Sequence, residues 1–363
     1  MKITHIHIER FRGFQNEDFE VGSLLTAIAG QNGTQKSTLL GIITQTFTLK
    51  TEDSMRVEKP LCGGSYISAF KDKFRLSPTF DKPKGHEWTI SFDAGMDDFT
   101  VESIKRTGDP NVRFWKKGAR QEGDGYISFP TIFLSLKRLV PVAEEAKIIT
   151  DDTLLTQEEL NEFKQLHNKI LIAQTPISSA TTITSKNKQS IGVSTELYDW
   201  NQNSMGQDNL GKIILALFSF KRLHDKYPRQ YKGGILAIDE MDATMYPASQ
   251  VELLKVLRKY ASKLNLQILF TTHSMSLLKA MDDLVQEVTK KEETANQAKI
   301  LYLKKVDDKI AIKQGVNFKG IQLDLNVVAE GNNRKKNRIT ARSEEHTSEL
   351  QSPRYLVCRL LLE

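Results

Sequence analysis

Lys36 and Ser37 close a glycine-containing turn, Gly30-Gln31-Asn32-Gly33-Thr34-Gln35, and open an apolar run that continues through Thr38 to Phe47. Ahead of the turn, Leu24 to Ala29 reads as a short buried strand. Strand, glycine turn, then Lys-Ser at a helix start is the layout of a phosphate-binding loop. The backbone N–H groups of the turn, over Gly30, Asn32, Gly33, Thr34, Gln35, Lys36, Ser37 and Thr38, would face phosphate oxygens. Lys36 would reach the β- and γ-phosphates of ATP, and the Ser37 hydroxyl would ligate Mg²⁺. Gln35 occupies the position before the lysine where glycine is usual, so its side chain crowds the phosphate or strains the loop. It is tolerated if its dihedrals stay ordinary and its side chain turns outward.

Two further clusters carry charge or hydroxyl groups at the ends of apolar runs. Gly234 to Ile238 ends in Asp239-Glu240, and buried adjacent acids are costly unless paired or holding a metal. Asp239 fits a residue that holds Mg²⁺ through its water shell, and Glu240 a base for the attacking water. Gln267 to Thr272 ends in His273-Ser274, where an imidazole would touch a γ-phosphate, though a histidine after a strand can also be structural. Ser204 and Gly206 stand before the apolar stretch Leu210 to Leu223. A serine two residues before a glycine at a helix start is an N-cap, and can also present its hydroxyl and N–H groups to an anion.

The elements that must position these groups alternate between strand and helix patterns, so an α/β fold is expected. Ile3, Ile6, Ile8 and Phe11 alternate with polar residues as in a half-buried strand, followed by a turn at Arg12-Gly13 and a second strand. Arg10 and Arg12 lie close to the glycine turn, as solvated residues or as contacts to nucleotide or DNA backbone. Trp88–Phe92, Phe99–Ile104 and Val112–Trp115, with a turn at Gly108-Asp109-Pro110, predict an antiparallel sheet. Ile127 to Leu134 predicts one more strand, followed by Ser135 and Arg138 as polar candidates for the site. Leu160, Phe163, Leu166 and Ile170 predict a helix, and the Ser/Thr-rich 176–193 a loop, hairpin or linker. Ile300–Lys305 and Lys309–Lys313 predict a closing hairpin.

The 363 residues carry a net charge of +6, which permits a nucleic-acid partner without requiring one. Cys62 and Cys358 give neither a disulfide framework nor a zinc set, which suits a reducing, cytoplasmic setting. No run of about 18 apolar residues spans a membrane.

On the segments Ile8–Phe14, Gly30–Thr38, Ser204–Gln207, Ile235–Glu240 and Thr271–Ser274, in this order, the chain resembles ATP-binding cassette ATPases of the SMC, RecF and overcoming-lysogenization-defect group. The resemblance implies a P-loop NTPase fold with a mixed central sheet, an antiparallel N-terminal lobe and a helical insertion. It implies ATP and Mg²⁺ as cofactors, ATP hydrolysis, and a homodimer that sandwiches two ATP molecules, with Ser204 and Gly206 acting on the partner's site. By the same resemblance Asp242 falls in the dimer-contacting loop, and DNA and an effector or nuclease are candidate partners. Three features depart from the group: Gln35, a signature without its second glycine, and the absent glutamine after the middle strand. They put the hydrolysis rate in question.

The expected organisation is an N-terminal lobe over 1–144, an insertion or lid over 145–200, and a lobe with the signature, acidic pair and histidine over 201–315. A linker or the start of a further domain, with the basic run 332–338, follows over 316–341. Residues 342–352, RSEEHTSELQS, match the translation of a common short-read sequencing adapter, and 353–363 read as out-of-frame continuation, so the natural chain is expected to run on past Ala341. The favoured function is an ATPase switch that regulates DNA processing or phage defence. A non-hydrolysing nucleotide-binding scaffold and the ATPase subunit of a membrane transporter are the alternatives.

Overall fold

The structure, a computed structural model, describes residues 1–66, 73–77, 79–93, 95–105, 112–118, 125–139, 148–152, 154–185 and 189–325. The turn at 108–110, the basic run 332–338 and the stretch from 342 onward lie outside them. Strand β1 (Ile3–Phe11) buries its apolar alternation and turns at Arg12 and Gly13 into β2 (Phe14–Glu20). Next come β3 (Leu25–Gly30), every residue of which is buried, helix α1 (Lys36–Thr44) and the short β4 (Phe47–Thr48). Strands β5 (Glu87–Phe92), β6 (Phe99–Lys105) and β7 (Val112–Lys116) complete an antiparallel sheet of order β2-β1-β5-β6-β7 among the described residues. Its buried face gathers Phe11, Trp88 and Phe114, whose rings meet edge-on or tilted with centroids 5.1–5.7 Å apart.

The stretch expected as one strand over Ile127–Leu134 is instead two, β8 (Ile127–Ser128) and β9 (Thr131–Leu134). Pro130 lies between them and has no N–H to extend a ladder. Strand β10 (Ile149–Asp152) then pairs with a hairpin of β11 (Ser179–Thr184) and β12 (Gln189–Ser194). The Ser/Thr-rich 176–193 is therefore largely sheet. Between β10 and β11 lies α2 (Gln157–Leu171), opened by a capping box in which Thr156 and Glu159 bond each other's backbone N–H. Glu159 pairs with Arg222 at 2.6 Å, and Glu162 with Lys221 at 2.5 Å and with the Tyr260 hydroxyl.

The remaining elements are α3 (Met205–Lys226), β13 (Gly234–Ile238), α4 (Pro247–Lys263), β14 (Leu266–Thr272), α5 (Met275–Val288), β15 (Ala298–Val306) and β16 (Lys309–Gln314). The central sheet has the order β16-β15-β3-β14-β13-β9 among the described residues. Five of its strands run parallel, and β16 returns antiparallel on β15. Continuous apolar runs such as Gly234–Ile238 suit parallel strands covered on both faces. The closing hairpin is thus also part of the main sheet, with β15 lying directly beside β3.

This is the mixed α/β architecture the sequence predicts. Parallel pairing aligns the carboxyl ends of β3, β14, β13 and β9, where ligands bind in open α/β sheets. Gly30, His273, Asp239 and Ser135 stand at or just beyond those ends. Residues Met1–Val316 form one compact unit. Of the second unit, from Asn317 on, the described part is a helical turn in which Asn317 Oδ1 accepts from the Gly320 N–H at 2.9 Å.

Candidate functional site

The glycine turn joins β3 to α1 through backbone angles that few side chains adopt. Gly30 has φ 153° and Gly33 φ 80°, and a Cβ on Gly30 would lie 2.4 Å from the Leu303 carbonyl of β15. Lys36 folds back over the turn, its Nζ donating to the carbonyls of Gly30 at 3.1 Å and Gln31 at 2.9 Å. Burial lowers its pKa, while Glu240, Asp239 and Asp242 pull the other way. The lysine therefore sits within electrostatic reach of the acids at the end of β13.

Gln35 departs from expectation. Its φ of 61° and ψ of 32° are left-handed, and it is the N-cap residue of α1 without a capping hydrogen bond. Its side chain turns inward as well: Nε2 lies 2.8 Å from where a Cβ on Gly13 would stand, and Oε1 is buried without a hydrogen-bond partner among the described residues. The conformation is the one glycine normally supplies, and packing against the β1–β2 turn holds a glutamine in it.

Asp239 is 5% exposed and accepts two hydroxyl hydrogen bonds on the same oxygen, Oδ1. Ser37 Oγ donates at 2.8 Å and Thr271 Oγ1 at 2.7 Å. Thr271 Oγ1 also accepts from the Glu240 N–H at 2.6 Å, fixing the start of the loop that follows β13. Glu240 (φ 48°) and Thr244 (φ 68°) are both left-handed, so this loop turns sharply at each end. His273 is exposed, and its backbone N–H donates to Asp242 Oδ1 at 3.4 Å. Partial burial, then the Lys36 charge, push its imidazole below the ordinary value, while Asp242, Glu240 and Asp239 pull the other way.

Arg138 is 2% exposed, just beyond β9. Its Nε donates to Asn209 Oδ1 at 2.7 Å and one Nη to the Glu240 carbonyl at 2.7 Å, while the other reaches the carbonyls of Leu134 and Ser135. Burial pushes its pKa down to about 10, and Asp239, Glu240 and Asp242 raise it. Asn209 Nδ2 donates to the Ala243 carbonyl at 2.9 Å. Gln250 Nε2 reaches the carbonyls of Asp242 at 3.2 Å and Met245 at 2.7 Å, and its Oε1 accepts from Ser274 Oγ.

Ser204 caps α3 in a second capping box, its Oγ accepting from the Gln207 N–H at 3.3 Å while Gln207 Oε1 accepts from the Ser204 N–H at 2.8 Å. Gly206 is buried, and a Cβ there would lie 2.6 Å from the Thr244 carbonyl. That close approach brings the first turn of α3 against the loop after Glu240. Arg10 and Arg12, left open by the sequence, are both engaged with carboxylates. Arg10 pairs with Glu87 at 3.1 Å. Arg12 forks onto Asp81 at 3.0 and 3.1 Å, and a further nitrogen approaches Thr38 Oγ1 at 3.4 Å.

Lys36, Ser37, Asp239, Glu240 and His273 are thus brought together at one end of the central sheet. Ser204 and Gly206 sit at the start of α3 beside the 240–245 loop. Sequence reasoning passed over Thr271, Asn209 and Gln250. Thr271 stands in the Thr-Thr-His-Ser run, but nothing local marks the other two.

The sequence profile of the AAA ATPase domain family matches residues 1–190 and 135–278. The chain belongs to that family. No curated protein matches the sequence. Among solved structures, this AAA ATPase domain is similar to an SMC head bound to the C-terminal winged-helix domain of ScpA. The match has a TM-score of 0.50 and 13% identity, and covers 89% of this chain and 100% of that one. The SMC head domain from Thermotoga maritima has a TM-score of 0.47 at 14% identity, covering 87% and 100%. An SMC head with an extended coiled coil, bound to the C-terminal domain of ScpA derived from Pyrococcus furiosus, has a TM-score of 0.48 at 12% identity, covering 90% and 99%. At such identities the likeness to the first of these is one of fold, the P-loop architecture of SMC heads. No helix among the described residues is long and apolar enough to cross a membrane.

Proposed function

We propose that this AAA ATPase domain binds ATP with Mg²⁺ at the end of β3 and hydrolyses it, as a homodimer that closes on two nucleotides. The observation that carries this reading is the convergence of the Ser37 and Thr271 hydroxyls on one oxygen of Asp239, at 2.8 and 2.7 Å, beside Lys36. A hard divalent cation takes oxygen ligands, and the Ser37 hydroxyl and the Asp239 carboxylate offer them side by side, 2.8 Å apart. Ser37 would be the direct ligand, with Asp239 holding the ion through its water shell. The ion supplies neutralisation of phosphate charge.

In this reading the turn N–H groups and Lys36 bind the phosphates, and Lys36 exchanges its bonds to the Gly30 and Gln31 carbonyls for phosphate oxygens. Glu240 takes the proton of the attacking water. His273 supplies a hydrogen bond to the γ-phosphate, and Ser204 and Gly206 complete the partner's site. The resemblance to the SMC, RecF and overcoming-lysogenization-defect group supports a role in DNA processing or phage defence, with DNA and an effector as partners.

Two variants test this. Lys36→Ala abolishes nucleotide affinity in calorimetry, and unchanged affinity sinks the phosphate-loop assignment. Glu240→Gln retains binding and lowers phosphate release by about 10²–10⁴-fold, the range for a lost general base; wild-type turnover removes Glu240 from that role. A non-hydrolysing scaffold is the second reading. The left-handed backbone at Gln35 favours it, and it requires turnover to be absent while binding persists.

A further inference from the structure

Three residues, Met241 to Ala243, separate the acidic pair from Thr244, where α3 touches its loop, and buried side chains grip that loop by its backbone. Arg138 donates to the Glu240 carbonyl at 2.7 Å and Asn209 Nδ2 to the Ala243 carbonyl at 2.9 Å. The two are joined, Arg138 Nε to Asn209 Oδ1, at 2.7 Å. Asn209 lies one turn into α3, on the helix that Ser204 caps and Gly206 presses against the Thr244 carbonyl. Arg138 also holds the Leu134 and Ser135 carbonyls at the end of β9. A fully buried guanidinium and amide thus form one hydrogen-bonded span from the frame of the central sheet, through the backbone of Glu240, to the start of α3.

A buried arginine is costly to keep, and apolar packing would fill the same space at no desolvation cost. What the planar fork adds is direction: it bonds Asn209 and the Glu240 carbonyl from separate nitrogens at fixed angles, whereas a lysine carries all its donors on one atom. Glu240 needs such support, because its φ of 48° places a non-glycine residue in a left-handed conformation. Thr271 Oγ1 fixes its N–H and Arg138 fixes its carbonyl, so both peptides flanking Glu240 are held and its side chain leaves the backbone in one direction.

We propose that Arg138 is the positioning residue for Glu240, and that Asn209 ties it to the first turn of α3, so that displacement of that helix start is transmitted to the base. The proposal rests on the reading of Glu240 as the general base. It assigns Arg138 no contact with nucleotide.

The test compares Arg138→Lys, Asn209→Ser and Glu240→Gln, singly and with each of the first two combined with the third. ATP affinity is measured by calorimetry, kcat and KM by phosphate release, and folding by thermal unfolding. Arg138→Lys and Asn209→Ser are expected to lower kcat about 10–100-fold, the usual cost of removing an outer-shell support, with ATP affinity and KM within about threefold of wild type. Neither is expected to lower kcat further in the Glu240→Gln background, because all three act through one group. Wild-type kcat in folded Arg138→Lys and Asn209→Ser overturns the proposal. So does a loss that multiplies that of Glu240→Gln, or one that appears in ATP affinity instead. Should Arg138→Lys not fold, Asn209→Ser decides alone, being the smaller excision. Unchanged turnover in Glu240→Gln, or no turnover in wild type, overturns the functional reading and this proposal with it. A silent Arg138→Lys beside a crippled Glu240→Gln overturns the proposal only.

Discussion

Gln35 holds a backbone angle that costs an ordinary residue roughly 1 kcal/mol, and its amide is wedged against Gly13 instead of facing outward. The β1–β2 turn and the glycine turn are therefore braced by a side chain that a glycine would lack. Gln35→Gly relieves the left-handed strain but frees the backbone in the unfolded chain, at a cost of about 0.5–1 kcal/mol, so the two effects nearly cancel. Stability should stay within about 1 kcal/mol of wild type while basal phosphate release rises. Stopped-flow measurement checks this, and slower release with the dimer intact would show that the brace is needed for turnover. The identity of this residue was plain in the sequence, its angle was not. Tertiary packing against Gly13, 22 positions away, decides the conformation, and no local pattern encodes that contact. The acidic pair differs, because an apolar run ending in two acids is a local signal.

Helix α2 carries a different consequence. His167 is buried against Phe163, with ring centroids 5.8 Å apart, and neither ring nitrogen has a hydrogen-bond partner among the described residues. Burial pushes its pKa down to about 4. The folded value lies below the unfolded one of about 6.5, so the unfolded chain binds the extra proton as pH falls between them. Stability is full above that window and drops by about 3 kcal/mol across it. Thermal or denaturant unfolding at pH 7.5 and 5 should show about 2 kcal/mol of that loss, and His167→Phe should flatten it. An unaltered pH dependence in that variant would place the titrating group elsewhere. Asp81 is held at about 2: burial opposes its charge, but Arg12, the Ser77 N–H and His86 outweigh it, so its loss comes at lower pH. At this scale the sequence was informative wherever one pattern dominated: alternation in β1, a continuous buried run in β3 and β13, and three- and four-residue spacing in α2. It was less so where Pro130 split a strand, or in the Ser/Thr-rich 176–193, where a hairpin was one of three readings left open and β11 and β12 form it.

Across the whole molecule, the arrangement at the start of α3 bears on assembly. Ser204 is exposed, at the head of a helix whose next turn is clamped to the Glu240 loop. If that helix start closes the site of a second copy, Ser204→Arg binds ATP yet neither dimerises nor hydrolyses it. Mixing it with Lys36→Ala should restore part of the activity, because one composite site of the mixed dimer keeps both an intact lysine and an intact serine. Sedimentation in ATP establishes the heterodimer, and its failure to hydrolyse would count against action between subunits. The fold class could be read from strand and helix periods together with the order of the motifs. Which strand lies beside which could not, because β3 pairs with β14 and β15 across more than 240 positions of sequence.

That long-range pairing has a consequence for how the protein is made. Strand β3 emerges from the ribosome early, yet both of its neighbours in the sheet are encoded past residue 265. Until β14 and β15 have been made, the chain carries a largely apolar strand with two open edges, the kind of segment that recruits other strands. The β1–β2 hairpin, whose pairing is local, can form at once, while the strand that leads into the glycine turn must wait until β14 and β15 have been made. Nascent chains stalled before Leu266 should therefore be chaperone-bound or aggregation-prone, and those stalled well beyond Gln314 should not.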